Sequence, residues 1–260
     1  MKALLLDLQG VLVDGLTPIS GAVETVAAAR ERGLTLRFVT NTATRHPGAI
    51  LDELRRVGFQ IEPHELFTAP LAARALLKRR GWHAHCLVHP AIAPLFDDLA
   101  CSSIPMDGST EKPEPDCVML GDARSGITYD SLNRLFQWVM AGKPLIGIGM
   151  NRCFREREQW MLDAGAFIHA IEWAAKTTAT VVGKPSATFF EELVASTGCL
   201  AADCLMVGDD VEADVAAAMA SGIQGCLVTT GKYQAKDQDL LPARARLIAG
   251  ISDLLTVMRP

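Results

Sequence analysis

The sequence contains no CxxC pair, no apolar stretch long enough to span a membrane, and no excess of basic over acidic residues. Its seven cysteines are scattered and odd in number, which argues against a disulfide framework and against a zinc site. With 25 Lys and Arg against 30 Asp and Glu, the net charge of −5 gives no broad attraction for nucleic acid or for an anionic membrane. The apolar run after Met1 is too short and begins too early for a signal peptide. We therefore expect a soluble, cytoplasmic protein with reduced thiols.

The sequence does contain enough apolar side chain for a large core, since 49% of its 260 residues are hydrophobic. Short apolar runs alternate with stretches of helical spacing, and this alternation is typical of a parallel sheet flanked by helices. Residues 3–8 and 34–39 are predicted strands, and residues 21–32 form a predicted helix between them. Further along, an Ala-rich helix that ends at Ser221 follows a predicted strand over residues 204–207. The predicted fold class is therefore α/β, with a parallel sheet.

The middle of the chain has a pattern of strands and helices of its own. Two short apolar runs predict strands over Cys117–Leu120 and Leu145–Ile148, and apolar residues at helical spacing predict a helix over Tyr129–Met140. We interpret residues 81–180 as an inserted α/β domain. Residues 1–80 and 181–260 then form one core domain.

Four polar elements come directly after predicted strands. In open α/β sheets the carboxyl ends of the strands form the edge at which ligands bind. A single Asp in such a place is more often a helix cap or a turn residue, but four elements in this arrangement predict a site. The elements are Asp7-Leu8-Gln9-Gly10-Val11, Thr40-Asn41, Lys184-Pro185, and Gly208-Asp209-Asp210 followed by Asp214.

Together these elements resemble the capped phosphatases of the haloacid dehalogenase (HAD) superfamily. The resemblance implies a Rossmann-like parallel-sheet HAD core with an inserted α/β cap domain, and a Mg²⁺-dependent hydrolase of the phosphatase type. Further runs contribute to it: Phe38-Val39-Thr40-Asn41-Thr42, Thr128-Tyr129-Asp130, Val182-Gly183-Lys184-Pro185 and Thr230-Gly231-Lys232-Tyr233.

The resemblance implies that Asp7 is a carboxylate nucleophile, which divides phosphoryl transfer into two easier steps through an aspartyl-phosphate. It also implies a Mg²⁺ ion held by Asp7, by the backbone carbonyl of Gln9 and by Asp209, since Mg²⁺ prefers oxygen ligands. Asp210 and Asp214 would orient these ligands from the start of the following helix. The alternative for both residues is capping of that helix.

The remaining candidates are phosphate-binding residues. By the same resemblance, the Thr40 hydroxyl and an Asn41 N–H would donate to phosphate oxygens, and Lys184 would stabilise charge on the transferring group. Turn chemistry after a strand is the alternative for Thr40 and Asn41. A surface charge is the alternative for Lys184.

Gln9 stands where most phosphatases of the superfamily carry an Asp that protonates the leaving group. Glutamine cannot exchange a proton, so we expect weakened general acid–base catalysis. The expected function is a Mg²⁺-dependent phosphohydrolase acting on a small phosphorylated molecule, without nucleic acid or membrane partners. The resemblance also implies a homodimer. Two alternatives stay open: a non-catalytic phosphate-binding protein, and a haloacid dehalogenase that uses the same aspartate without Mg²⁺.

Overall fold

The computed structural model describes residues 1–100, 114–156 and 159–257. Across these residues, none of the helices combines the length and the apolar character needed to cross a membrane.

Two compact units divide the chain. The first consists of Met1–Thr40, Pro47–Thr68 and Lys184–Pro260, and the second of Asn41–His46 and Ala69–Gly183. The chain therefore leaves the first unit and returns to it, as expected for an inserted domain. The sequence-based boundaries at residues 81 and 180 stay a prediction.

The described strands follow in chain order: β1 (Ala3–Asp7), β2 (Val13–Asp14), β3 (Thr17–Pro18), β4 (Thr35–Thr40), β5 (Leu66–Thr68), β6 (Ala84–Leu87), β7 (Cys117–Leu120), β8 (Leu145–Ile148), β9 (Cys153–Glu156), β10 (Gln159–Leu162), β11 (Thr180–Val182), β12 (Cys204–Gly208), β13 (Gln224–Val228) and β14 (Arg246–Ile248). The described α-helices are α1 (Ala22–Glu31), α2 (Pro47–Arg56), α3 (Ala69–Arg80), α4 (Tyr129–Met140), α5 (Ala164–Ala175), α6 (Ala187–Thr197), α7 (Ala217–Ala220) and α8 (Leu254–Val257). A π-helix over Val211–Ala216 leads directly into α7.

The first unit contains a six-stranded parallel sheet in the order β14-β13-β12-β1-β4-β5. Strand β1 lies in the interior of this sheet, and all five of its residues are buried, as expected for a parallel strand covered on both faces. The chain continues from β1 toward β4 on one side, whereas β12 lies on the other. This reversal of strand order makes the carboxyl end of β1 the place where a ligand is expected to bind.

Helix α1 shows why the sequence packs in this way. Its buried residues Ala22, Thr25, Val26 and Ala29 have the spacing of one helical face. Three of them belong to the same apolar cluster as Phe38 of β4. Complete burial of a side chain the size of Val or Phe contributes about 1.5–3 kcal/mol, so this face holds α1 against the sheet.

The second unit has its own four-stranded parallel sheet, in the order β11-β8-β7-β6, together with the antiparallel pair β9 and β10. Helices α4 and α5 pack on this sheet through a separate apolar cluster that includes Leu135 and Ile168. Helix α4 begins after a capping box: the Ser131 N–H donates to Thr128 Oγ1 at 3.1 Å, and the Thr128 N–H donates to Ser131 Oγ at 2.9 Å.

Two local predictions differ from the structure. The Ala-rich helix predicted to end at Ser221 begins instead as the π-helix, because the Val215 N–H reaches back to Asp210 O. The strand before Lys184 belongs to the second unit, since β11 pairs with β8 and not with a strand of the six-stranded sheet. Hydrophobic spacing cannot predict such a pairing, because the partner is distant in sequence.

Candidate active site

Three aspartates and one lysine meet at the carboxyl edge of the six-stranded sheet. Lys184 Nζ lies 2.7 Å from Asp7 Oδ1 and 2.6 Å from Asp214 Oδ1. Carboxylate oxygens of Asp7, Asp209 and Asp214 all lie within 4.8 Å of one another. All four side chains are buried. The structure therefore brings together four of the residues that the sequence predicted for the site.

The ends of β1 and β12 position two of these carboxylates. Asp7 is the last residue of β1, and Asp209 directly follows β12, which is hydrogen-bonded to β1 in parallel register. The π-helix after β12 supplies the third. It turns Asp214 toward Lys184 and leaves it only 1% exposed. The convergence thus depends on strand pairing and on the wide helical turn together.

Asp210 caps the π-helix and does not join the buried cluster. Its Oδ1 accepts hydrogen bonds from the N–H groups of Glu212 and Ala213, at 3.1 and 2.9 Å. Asp214, in contrast, accepts from the Asp210 N–H at 3.3 Å while its other carboxylate oxygen faces Lys184. The capping alternative therefore describes Asp210, whereas Asp214 has a buried ion pair.

Two glycines make room for the carboxylates. A Cβ on Gly208 would lie 2.2 Å from Asp214 Cβ, far inside van der Waals contact. A Cβ on Gly10 would lie 2.1 Å from Asp209 Oδ2, and the φ of +80° at Gly10 also favours glycine. Asp214 therefore packs against the backbone of Gly208, and Asp209 against that of Gly10, at distances that only glycine allows.

Asp209 has one satisfied oxygen and one unsatisfied oxygen. Its Oδ2 accepts from the Lys232 N–H at 2.8 Å, but its buried Oδ1 has no hydrogen-bond partner within the described part of the chain. A buried carboxylate oxygen without a partner is energetically costly. Three buried carboxylates face a single buried ammonium, so a divalent cation with oxygen ligands fits both the charge and the donor set.

Burial and charge act on the pKa values of this cluster in opposite directions. Burial disfavours the charged form of Lys184, but the charges of Asp214 and Asp7 outweigh it and raise the pKa of the ammonium. Burial raises the pKa of the Asp214 carboxyl, and the charge of Lys184 opposes that effect. Burial also raises the pKa of Asp209. Lys184 is therefore charged and holds two carboxylates near each other.

The other predicted residues are Thr40, Asn41 and Gln9, and the structure shows the following for each of them. Thr40 is the buried last residue of β4 and follows Val39, the register partner of Asp7. Asn41 is the next residue, at the start of the second unit's segments. Gln9 is exposed, and its side-chain amide bonds to the backbone of Gly15. The proposed phosphate contacts of Thr40 and Asn41, and the proposed metal contact of the Gln9 carbonyl, stay predictions.

The segment Thr230-Gly231-Lys232 also shapes the site, although no role was predicted for it. Thr230 Oγ1 donates to the Gly10 carbonyl at 2.5 Å, and the Lys232 backbone N–H binds Asp209. Gly231 packs so closely on Asp209 that a Cβ there would lie 2.2 Å from Oδ2. From the sequence, the segment is recognisable only through the family resemblance, because backbone donors leave no signature in a sequence.

The fold and the buried site define the class of the protein: it is a Rossmann-like α/β hydrolase whose core is interrupted by an inserted α/β cap domain. The chain belongs to the haloacid dehalogenase-like hydrolases. A family model for haloacid dehalogenase-like hydrolases matches residues 4–98, and a second, HAD-hydrolase-like model matches residues 181–254.

Curated relatives and solved structures resemble nearly the whole chain. It is 38% identical over 245 residues to the phospholysine phosphohistidine inorganic pyrophosphate phosphatase of Xenopus laevis, covering 92% of this chain and 87% of that protein. It is 37% identical over 239 residues to haloacid dehalogenase-like hydrolase domain-containing protein 2 of Homo sapiens, covering 92% and 88%. The structure of the p-nitrophenyl phosphatase from Archaeoglobus fulgidus matches with a TM-score of 0.86 and 24% identity, covering 99% of both chains.

Proposed function

We propose that the chain is a Mg²⁺-dependent phosphohydrolase that forms an aspartyl-phosphate on Asp7. The buried Oδ1 of Asp209, which has no hydrogen-bond partner among the described residues, carries this proposal, because a cation at that position would satisfy it. The excess of three carboxylates over one lysine supports the same reading. Asp7 and Asp209, with the backbone carbonyl of Gln9, would hold Mg²⁺, which supplies positive charge to the transferring phosphoryl group when bound.

The proposed reaction has two steps. An Asp7 carboxylate oxygen attacks phosphorus, and the bond from phosphorus to the leaving group breaks. Water then attacks the same phosphorus, releasing inorganic phosphate and restoring the Asp7 carboxylate. Lys184, 2.7 Å from Asp7, stabilises negative charge on the phosphoryl oxygens in both steps.

The remaining site residues bind the phosphate group and orient the metal ligands. Thr40 and Asn41 donate to phosphate oxygens, and Asp210 and Asp214 orient the metal ligands and Lys184. Residues 81–180 act as the cap that selects the substrate. The homodimer that the family resemblance implies and the cytoplasmic location that we expect from the sequence belong to the same proposal.

The substrate class follows from Gln9, which cannot protonate a leaving group. We infer a small phosphorylated substrate whose leaving group departs readily or brings its own proton, such as an aryl phosphate, pyrophosphate or a phosphoramidate. The names of the relatives agree with this class, since they include a p-nitrophenyl phosphatase and a phospholysine phosphohistidine inorganic pyrophosphate phosphatase.

The test is phosphate release from purified protein against p-nitrophenyl phosphate, pyrophosphate and phosphohistidine, across a Mg²⁺ titration. We expect turnover that rises with Mg²⁺ and stops with EDTA. Turnover that survives EDTA would reject the metal, and phosphate binding without turnover would indicate a non-catalytic protein. Halide release from a 2-haloacid without Mg²⁺ would indicate a dehalogenase.

A further inference from the structure

Gln9 and Gly15 exchange two hydrogen bonds. Gln9 Nε2 donates to the Gly15 carbonyl at 3.2 Å, and the Gly15 N–H donates to Gln9 Oε1 at 3.1 Å. Two residues of an antiparallel ladder exchange N–H and C=O groups in the same reciprocal way. The side-chain amide of Gln9 therefore acts as an additional peptide group that pairs with the backbone of Gly15.

Gly15 lies at the turn of the small hairpin formed by β2 and β3. The base of this hairpin is anchored, because Val13 is buried and its carbonyl accepts from the Gly10 N–H at 2.8 Å. The turn itself is exposed: Leu16 is 62% accessible, and a Cβ on Gly15, whose φ is +61°, would meet no atom within 4 Å. The Gln9 side chain thus connects an exposed turn to the segment that follows Asp7.

An amide is required for this pairing. Glutamine can donate and accept at once, whereas an ionised carboxylate only accepts and would direct its charge at the Gly15 carbonyl. One N–H of the Gln9 amide and its oxygen are both engaged with Gly15, so the pairing fixes the orientation of the side chain. The structure therefore gives the glutamine at this position a role that an ionised carboxylate could fill only in part.

We propose that Gln9 is a positioning residue: its side chain holds the hairpin turn and thereby fixes the Gln9 peptide, whose carbonyl would face the cation. The cation part of this inference rests on the proposed function, whereas the hairpin part does not. A residue near the nucleophile that usually serves proton transfer would serve here to order the backbone.

The test compares Gln9→Met, which loses both hydrogen bonds at nearly the same length, with Gln9→Glu, which keeps the acceptor and loses the donor. Gln60→Met is the matched control, because Gln60 is exposed and its side chain makes no hydrogen bond among the described residues. Amide exchange at Gly15, followed by NMR, reports the hairpin directly. Calorimetric Mg²⁺ binding reports the Gln9 carbonyl without any need for turnover.

We expect Gly15 exchange to be about tenfold faster in Gln9→Met, an intermediate rate in Gln9→Glu, and no change in Gln60→Met. Mg²⁺ affinity should fall about tenfold in Gln9→Met. Unchanged Gly15 exchange in Gln9→Met would overturn the proposal. Faster exchange with unchanged Mg²⁺ affinity would overturn the link to the cation. If wild-type protein binds no Mg²⁺, the proposed function fails, while the exchange data still decide the hairpin role.

Discussion

Lys184 lies between Asp7 and Asp214, with its ammonium 2.7 Å from a carboxylate oxygen of the first and 2.6 Å from one of the second. Asp7 is at the end of β1, Lys184 follows Gly183, and Asp214 is in the π-helix. The two ion pairs can therefore form only when these distant parts of the chain have folded together. Removing one partner of a buried ion pair leaves an uncompensated charge, which typically costs about 3–5 kcal/mol.

Lys184→Met should therefore damage both turnover and stability. Without the ammonium, the Asp7 and Asp214 carboxylates repel each other, and the phosphoryl oxygens lose a stabilising charge. We expect kcat to fall at least about a hundredfold, with a smaller effect on KM. Lys236→Met, which removes an exposed lysine of the same unit, is the control. Equal kinetics for the two variants would mean that Lys184 has no catalytic role.

Asp7→Asn tests the nucleophile. The amide has nearly the same shape, so the fold should persist, but an amide is a poor nucleophile and a weaker metal ligand. Turnover should fall at least about a thousandfold, measured as phosphate release. Trapping of labelled phosphate on the wild-type protein, and not on the variant, would identify the acyl-phosphate. Substantial turnover in the variant would exclude Asp7 as the nucleophile.

Asp209→Asn tests the cation. The substitution removes a charge from the residue whose buried Oδ1 has no hydrogen-bond partner in the part of the chain that the structure describes. Apparent Mg²⁺ affinity should therefore fall more than about tenfold. Excess Mg²⁺ should restore part of the activity. Asp239→Asn, at an exposed position of the same unit, should leave the Mg²⁺ titration unchanged.

Much of the local structure could be predicted from the sequence. The strands Cys117–Leu120 and Leu145–Ile148 and the helix Tyr129–Met140 have the predicted bounds, because their apolar spacing and the Thr128 cap are local signals. The grouping of Asp7 with Asp209 also followed from strand ends. The HAD fold and the family were confirmed, whereas the roles of the site residues stay predictions.

Contacts between distant residues could not be predicted. Spacing alone could not separate Asp210, which caps the π-helix, from Asp214, which joins Lys184. Nor could it place β11 in the second unit's sheet, or show that the Lys232 N–H binds Asp209. The pairing of Gln9 with Gly15 depends on the hairpin turn, and the sequence contains no periodic signal for it.

The ion pair between Arg30 and Glu65 should make stability depend on pH. Arg30 contacts Glu65 with two hydrogen bonds, at 2.6 and 2.8 Å. Burial works to raise the pKa of Glu65, but the hydrogen bonds from Arg30 and from the Glu62 N–H outweigh it and lower that pKa. Because the folded-state pKa lies below the unfolded value, the stabilisation is complete above the ordinary pKa of glutamate and disappears as the pH falls through the folded-state pKa.

Glu65→Gln should therefore lower the free energy of unfolding by roughly 1–2 kcal/mol at pH 7. The expected change is small because the Arg30 side chain is 38% exposed, so solvent screens its charge. Urea unfolding at pH 7 and below pH 4 measures the change. The difference between wild type and variant should shrink at the lower pH. A difference that is constant with pH would show that packing, and not the ion pair, stabilises this contact.

Gln9→Asp tests the leaving-group argument. A positioned general acid contributes about 10²–10⁴-fold in rate, and it matters most for an alkoxide leaving group, since nitrophenolate departs without a proton. Wild-type protein should therefore hydrolyse p-nitrophenyl phosphate much faster than a sugar phosphate.

In the Gln9→Asp variant, the shorter aspartate loses the pairing with Gly15, so both hydrolysis rates are expected to fall because the hairpin is less ordered. The ratio of the sugar-phosphate rate to the p-nitrophenyl phosphate rate cancels that common effect. This ratio should be higher in Gln9→Asp than in the wild-type protein. Gln9→Asn, which has the same length as aspartate but cannot exchange a proton, is the control and should leave the ratio unchanged. If the ratio shifts equally in Gln9→Asp and Gln9→Asn, the missing general acid does not explain slow hydrolysis of the sugar phosphate.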